Sequence, residues 1–145
     1  MNAFLLICSA LAPMSGAEPA DSDATKAIQK VINDQATAWN KGDLKGFMAG
    51  YWKSDDLTFF SGKDKTKGWN ATLENYRKRY QGKDKEMGKV TFSELQVELM
   101  GTNSAWVRGR WKVVTKKQTL QGLFTLIFKK TTAGWRIIHD HTSSG

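Results

Sequence analysis

The chain is 145 residues long, a length that suits one domain. Its 22 lysines and arginines outweigh 14 aspartates and glutamates, giving a formal net charge of +8 at pH 7. Cys8 is the only cysteine, which excludes a disulfide-stapled scaffold.

Ala3 to Ala12 is an uncharged apolar run of signal-peptide length, too short to span a membrane as a helix. Ser15-Gly16-Ala17 follows with the small residues a signal peptidase reads, although only Met1 and Asn2 precede the run and no basic start is present. Residues 1–17 are therefore read as an export signal, with a disordered apolar tail as the alternative, and the mature protein is expected to be periplasmic or secreted. Ile7 before Cys8 argues against lipidation. The mature chain then has no cysteine and must hold together through one hydrophobic core. The lysines are scattered: Lys63, Lys65 and Lys67 in one loop, Lys83, Lys85 and Lys89 in another, Lys116 and Lys117 at a turn. They read either as an anion-attracting surface or as solubility. Solubility is favoured, because an exported chain meets little nucleic acid, and no nucleic-acid partner is expected.

Residues 18–23 are expected to be a disordered start, and residues 24–145 a single domain. From Ala24, the spacing of Ile28, Val31, Ile32, Ala36 and Trp39 predicts a helix, capped by Ser22 or Asp23 and ended by Gly42. Asp43 caps a short second helix carrying Leu44, Phe47, Met48 and Tyr51. Asp55-Asp56 leads into a strand at Leu57 to Phe60, and Ser61 to Gly68 is a charged loop with room for a minor strand. Trp69, Leu73, Tyr76 and Tyr80 give a third helix with an aromatic stripe. After a polar loop the pattern changes to period two, with strands at Val90–Met100, Ala105–Thr115, Leu120–Lys130 and Trp135–Thr142. Helices followed by an antiparallel meander make an α+β layout, a curved sheet leaving a cone open at one end.

Trp39-Asn40-Lys41-Gly42-Asp43-Leu44, Gly68 before the third helix, and the ending Gly134 to Gly145 carry a resemblance. From about Ala24 onward the chain resembles the superfamily of nuclear transport factor two, ketosteroid isomerase, SnoaL-like polyketide cyclases and scytalone dehydratase. Within it the chain is most similar to ketosteroid-isomerase-like proteins of unassigned function, often exported. The ending, with its Trp, His-x-His and Ser-Gly, also resembles the association domain of calcium/calmodulin-dependent protein kinase, as does Ser104-Ala105-Trp106-Val107-Arg108. The resemblance implies a cone-shaped barrel of three N-terminal helices packed on a curved, mainly antiparallel sheet. It also implies a homodimer through the outer sheet face, a pocket arginine at Arg108, and a general-base carboxylate near Asp55 or Asp56.

Period two places Trp106, Arg108 and Arg110 on one face. If that face lines the cone, Arg108 could grip a ligand carboxylate in fork geometry; otherwise it pairs with Glu94 or Glu98. Strict alternation from Trp135 puts His139 and His141 on one face and Asp140 on the other. The histidines could orient a ligand or act as a general base, could serve as metal ligands with Asp55 or Asp56, or could be structural; no metal and no cofactor is expected. Asp55 and Asp56 read either as a general base in an apolar cone or as a helix-to-strand turn. With Asp140 pointing away, no second acid lies inside the sheet, which counts against isomerase activity. Trp39, Tyr51, Phe59, Trp69, Tyr76, Tyr80, Phe124 and Trp135 could line a pocket, though core packing explains most aromatics. No phosphate loop, Gly-x-Gly-x-x-Gly or Gly-x-Ser-x-Gly turn is present.

The function expected is binding of a small apolar or carboxylate-bearing molecule in the cone. The alternatives are a cofactor-independent isomerase, dehydratase or cyclase, and a structural oligomerisation module.

Overall fold

A computed structural model describes residues 19–145. The expected export signal lies outside the described residues. In chain order the elements are α1 (Pro19–Asn40), α2 (Leu44–Met48), β1 (Thr58–Ser61), β2 (Asp64–Lys67), α3 (Trp69–Tyr80), β3 (Lys89–Leu99), β4 (Ser104–Val114), β5 (Thr119–Thr131) and β6 (Gly134–Thr142). Helix α1 begins at Pro19, ahead of the expected cap at Ser22 or Asp23, so residues 19–23 form its first turn rather than a disordered start. Proline suits that position, because the first amides of a helix have no intrahelical partner to lose.

The apolar stripe of α1 is buried as its spacing requires, with Ile28, Ile32 and Trp39 in the core. Gly42, at φ 77°, ends the helix. One residue later the Asp43 carboxylate accepts from Gly46 N at 2.8 Å and caps α2. Asn40 fixes the end of α1 to the sheet as a strand neighbour would: Val90 N donates to its Oδ1 at 2.7 Å, and its Nδ2 donates to Val90 O at 3.1 Å.

The sheet has six strands in the order β2-β1-β6-β5-β4-β3, antiparallel except for the parallel pair β1–β6. It is curved but does not close, and the helices cover its concave side. The charged loop after β1 does form the minor strand β2, an all-polar edge. Helix α1 packs on β3 and β6, and Ile28, Ile32, Phe128 and Ile137 are among the side chains buried to 1% exposure or less.

Two bulges set which residues face inward. In β3 the register slips between Ser93 and Gln96, with Glu94 at φ 54°. The inward set changes from Val90 and Phe92 to Leu95, Val97 and Leu99. In β6, Phe128 opposes Ile137 while Ile127 opposes His139, leaving Ile138 as the extra residue. A one-residue slip turns every following side chain to the other face. Trp135 and Ile137 are buried before the slip, and Asp140 after it. The expected strict alternation from Trp135 to Thr142 is therefore wrong beyond Ile137: His139 and His141 lie on the outer face, and Asp140 and Thr142 point into the cone.

Candidate functional site

Between the helices and the concave side of the sheet lies a cavity of about 870 Å³, lined by residues from α1, α2, α3 and all six strands. Its walls are aromatic. Trp39 sits edge-on to Phe47 and Tyr80 at centroid distances of 5.0 and 4.8 Å. Tyr76 lies edge-on to Phe47 and Phe59 at 5.3 and 5.7 Å. The Trp39 indole is held by a bond from Nε1 to Met87 O, 2.9 Å.

The buried acid among these rings is Asp140, only 3% exposed. Tyr51 Oη donates to its Oδ2 at 2.8 Å, and Thr142 Oγ1 donates to its Oδ1 at 2.6 Å. Burial pushes Asp140 up from 3.8 to about 6, against the opposing pull of those two hydrogen bonds and of the nearby His141. Burial, then the negative Asp140, also holds Tyr51 well above the usual tyrosine range, and the same two causes act on Tyr76. Both tyrosines therefore stay protonated donors at any physiological pH.

Tyr51 is positioned by backbone. Trp52 N donates to Ile137 O at 2.9 Å and Ile137 N to Gly50 O at 3.0 Å, clamping the segment after α2 beside β6. Buried Gln35 braces the same turn through Nε2 to Phe47 O, 3.0 Å. A Cβ at Gly50 would come within 2.6 Å of the Gln35 side chain, so a larger residue here would displace that brace.

Of the residues expected in the pocket, Trp39, Tyr51, Phe59, Tyr76, Tyr80 and Phe124 line the cavity. Trp69 does not; its Nε1 donates to Met48 O at 2.9 Å and ties α3 to α2. Trp135 is core. Trp106 and Arg108 are also outside, because Ala105, Val107, Trp111 and Val113 claim the inner face of β4 and alternation sends the guanidinium to the outer one. There Arg108 pairs with Glu98 and stacks 4.1 Å from the Trp106 ring centroid, while Trp106 Nε1 donates to the same carboxylate at 3.0 Å. Arg110 pairs with Glu94 at 3.3 Å.

None of the four residues expected to be catalytic reaches the cavity. Asp55 and Asp56 are exposed at the turn before β1, and Asp56 forms an ion pair with Lys67 at 3.0 Å. His139 Nδ1 shares a hydrogen bond of 2.6 Å with Thr58 Oγ1, and the Phe60 ring packs edge-on to both histidines on the outer face. Among the described residues no group of three or more His, Cys, Asp or Glu side chains is gathered as a metal site would need. The buried acid that does face the cavity, Asp140, is the one that period two directs away.

Helices packed on a curved, mixed, open sheet are the fold of the nuclear transport factor two-like class. The sequence profile described as a SnoaL-like domain matches residues 28–145, and the chain belongs to that family. A nuclear transport factor two-like protein of unknown function from Shewanella oneidensis is 35% identical, with TM-score 0.77 over 82% of this chain and 98% of that one. A superfamily member from Salmonella enterica is 22% identical, with TM-score 0.68 over 84% and 91%. The structure of a putative scytalone dehydratase from Novosphingobium aromaticivorans shares the fold at 13% identity, with TM-score 0.68 over 87% of each chain. No curated protein matches the chain. Among the described residues, no helix is long and apolar enough to cross a membrane.

Proposed function

We propose that the cone binds a small ring-bearing molecule and presents a hydroxyl group to the Asp140 carboxylate, beside Tyr51. The observation that carries this reading is one buried carboxyl, hydrogen-bonded by Tyr51 and Thr142, in the wall of an aromatic cavity of about 870 Å³. Such sites pair apolar walls with few polar groups that fix orientation. Arg108 is not part of this reading, since Glu98 and Trp106 occupy it on the other side of the sheet. A thermal-shift screen of phenols, polyketide-like ketones and steroids tests it. A ligand at a hundred times its dissociation constant adds ~2.7 kcal/mol of stability. A hit weakened by Tyr51→Phe supports the reading. A panel without hits shifts weight to a structural module.

The raised pKa of Asp140 favours a second reading, a cofactor-independent isomerase, dehydratase or cyclase acting next to a carbonyl. A carboxyl near 6 holds and releases a proton close to neutral pH, and the buried Tyr76 hydroxyl in the cavity wall can donate to the oxygen where charge develops. Deuterium exchange beside the carbonyl of a bound ketone, lost in Asp140→Asn with binding retained, is its signature; exchange unchanged in that variant would dismiss it.

A homodimer through the outer sheet face belongs to the same proposal. That face offers the Trp106–Arg108–Glu98 cluster and Leu123, which is 52% exposed. Sedimentation velocity across a concentration series reads it, and a monomer throughout would remove it.

A further inference from the structure

The rim of the cavity differs in chemistry from its walls. Lys63, in the turn between β1 and β2, and Lys78 and Arg79, in the last turn of α3, all line the opening. All three are exposed. Asn75 Nδ2 donates to Thr66 Oγ1 at 3.0 Å, so the two elements that carry these cations are tied together. Asp64 is the one acid at the rim. The acids near these elements are taken elsewhere: Glu74 faces Arg77 at 3.7 Å and Asp56 faces Lys67 at 3.0 Å. None of the ion pairs among the described residues includes Lys63, Lys78 or Arg79.

Basic residues at the end of α3 complement the helix dipole, which would account for Lys78 and Arg79 as solvated charges. That explanation leaves out Lys63, which belongs to a hairpin. It also leaves out the position of the Arg79 guanidinium, 5.4 Å from the centroid of Tyr80, a ring of the cavity wall. Deeper in, Asp140 is acidic enough to be largely ionised at neutral pH. A negative charge on a ligand is repelled there and attracted at the rim, so the two ends of the cavity orient an anion in one direction only.

We propose that the ligand is a small ring-bearing anion held by Arg79, Lys63 and Lys78 at the rim, with its rings among the aromatic walls and an uncharged oxygen toward Tyr51. This rests on the binding reading above and adds the charge and the direction of entry. The shared chemistry is an exposed oxyanion, whether carboxylate, sulfonate or phosphate ester.

Matched fluorescent probes separate the two claims. 8-Anilinonaphthalene-1-sulfonate carries the anion, and N-phenyl-1-naphthylamine is the same ring system without it. 1-Naphthylmethylammonium carries the opposite charge. Titrated into the full chain, the sulfonate should bind one site per chain about tenfold tighter than the neutral probe at low salt, and the gap should close at high salt as the rim is screened. Arg79→Gln should weaken the sulfonate several-fold and leave the neutral probe unchanged, while Lys26→Gln, on the exposed face of α1, changes neither. If the neutral probe or the ammonium binds as tightly as the sulfonate, or if Arg79→Gln weakens all three alike, the anion claim is overturned and the cavity reading survives. If none of the three binds at one displaceable site, the cavity reading itself fails, and this inference with it.

Discussion

Replacing Asp140 by Asn should make this protein more stable at neutral pH while disabling its site. The native carboxyl titrates at about 6, against 3.8 for an ordinary aspartate. At 1.36 kcal/mol per pKa unit, that difference is about 3 kcal/mol. The sign follows from proton binding. Between pH 4 and 6 the native state holds a proton that the unfolded chain has released, so stability falls as pH rises through this window. Above it the native state carries an ionised, desolvated carboxylate at the full cost. Asparagine has no such cost, and the Tyr51 and Thr142 hydroxyls can rotate to serve its amide. Urea unfolding followed by tryptophan fluorescence, run on both proteins from pH 4 to 8, gives the difference at each pH. Titrating groups that do not interact with Asp140 cancel in that difference. It should grow by about 2.4 kcal/mol in favour of Asp140→Asn between pH 4 and 7, or roughly 8 °C in Tm for a domain of this size. A difference that stays flat with pH would show that Asp140 titrates as an exposed acid, and the account of the buried site would fall.

Tyr51→Phe removes the donor to Asp140 Oδ2 and leaves a buried carboxylate oxygen without that partner. It should cost about 1–3 kcal/mol at pH 7 and push the Asp140 pKa above its native value, readable by carboxyl-carbon NMR titration. Gly122→Ala would place a Cβ 2.0 Å from the backbone oxygen of Ser143. The tail must move, breaking the bond from Trp111 Nε1 to Ser143 O; a loss of about 1–3 kcal/mol is expected, with faster amide exchange confined to residues 143–145. Arg108→Ala, on the outer face, should leave ligand-induced stabilisation unchanged in a thermal-shift assay; loss of that stabilisation would return Arg108 to the cavity.

The elements were legible because each carries its own period. Ile28, Ile32 and Trp39 repeat at helical spacing, Trp69, Leu73, Tyr76 and Tyr80 do the same, and each long strand was located to within about two residues of its observed ends. β4 obeyed its alternation throughout, and for that reason Arg108 lies outside: a strand with Ala105, Val107, Trp111 and Val113 inward has no inward place for residue 108. Reading Trp106, Arg108 and Arg110 as the cavity face gave the inner side to the more polar set, when burial favours the apolar one.

In β6 the same rule misleads, because alternation holds only while the register holds. Ile137-Ile138 is an apolar doublet in a strand that otherwise alternates, and a doublet is what a strand shows when it changes phase. The apolar set before it is Trp135 and Ile137. After it there are no apolar residues left to mark the inner face, only His139, Asp140, His141 and Thr142. Pairing decides what composition cannot: Ile138 is the extra residue against β5, so Asp140 turns inward to meet Tyr51, which is clamped beside β6 although 89 positions earlier in the chain. The bulge carries a cost in ladder hydrogen bonds, and the buried carboxylate adds about 3 kcal/mol at neutral pH. A fold optimised for stability alone would have neither. Both occur at one point of one strand, facing an aromatic cavity, and the proposed role of Asp140 rests on that coincidence.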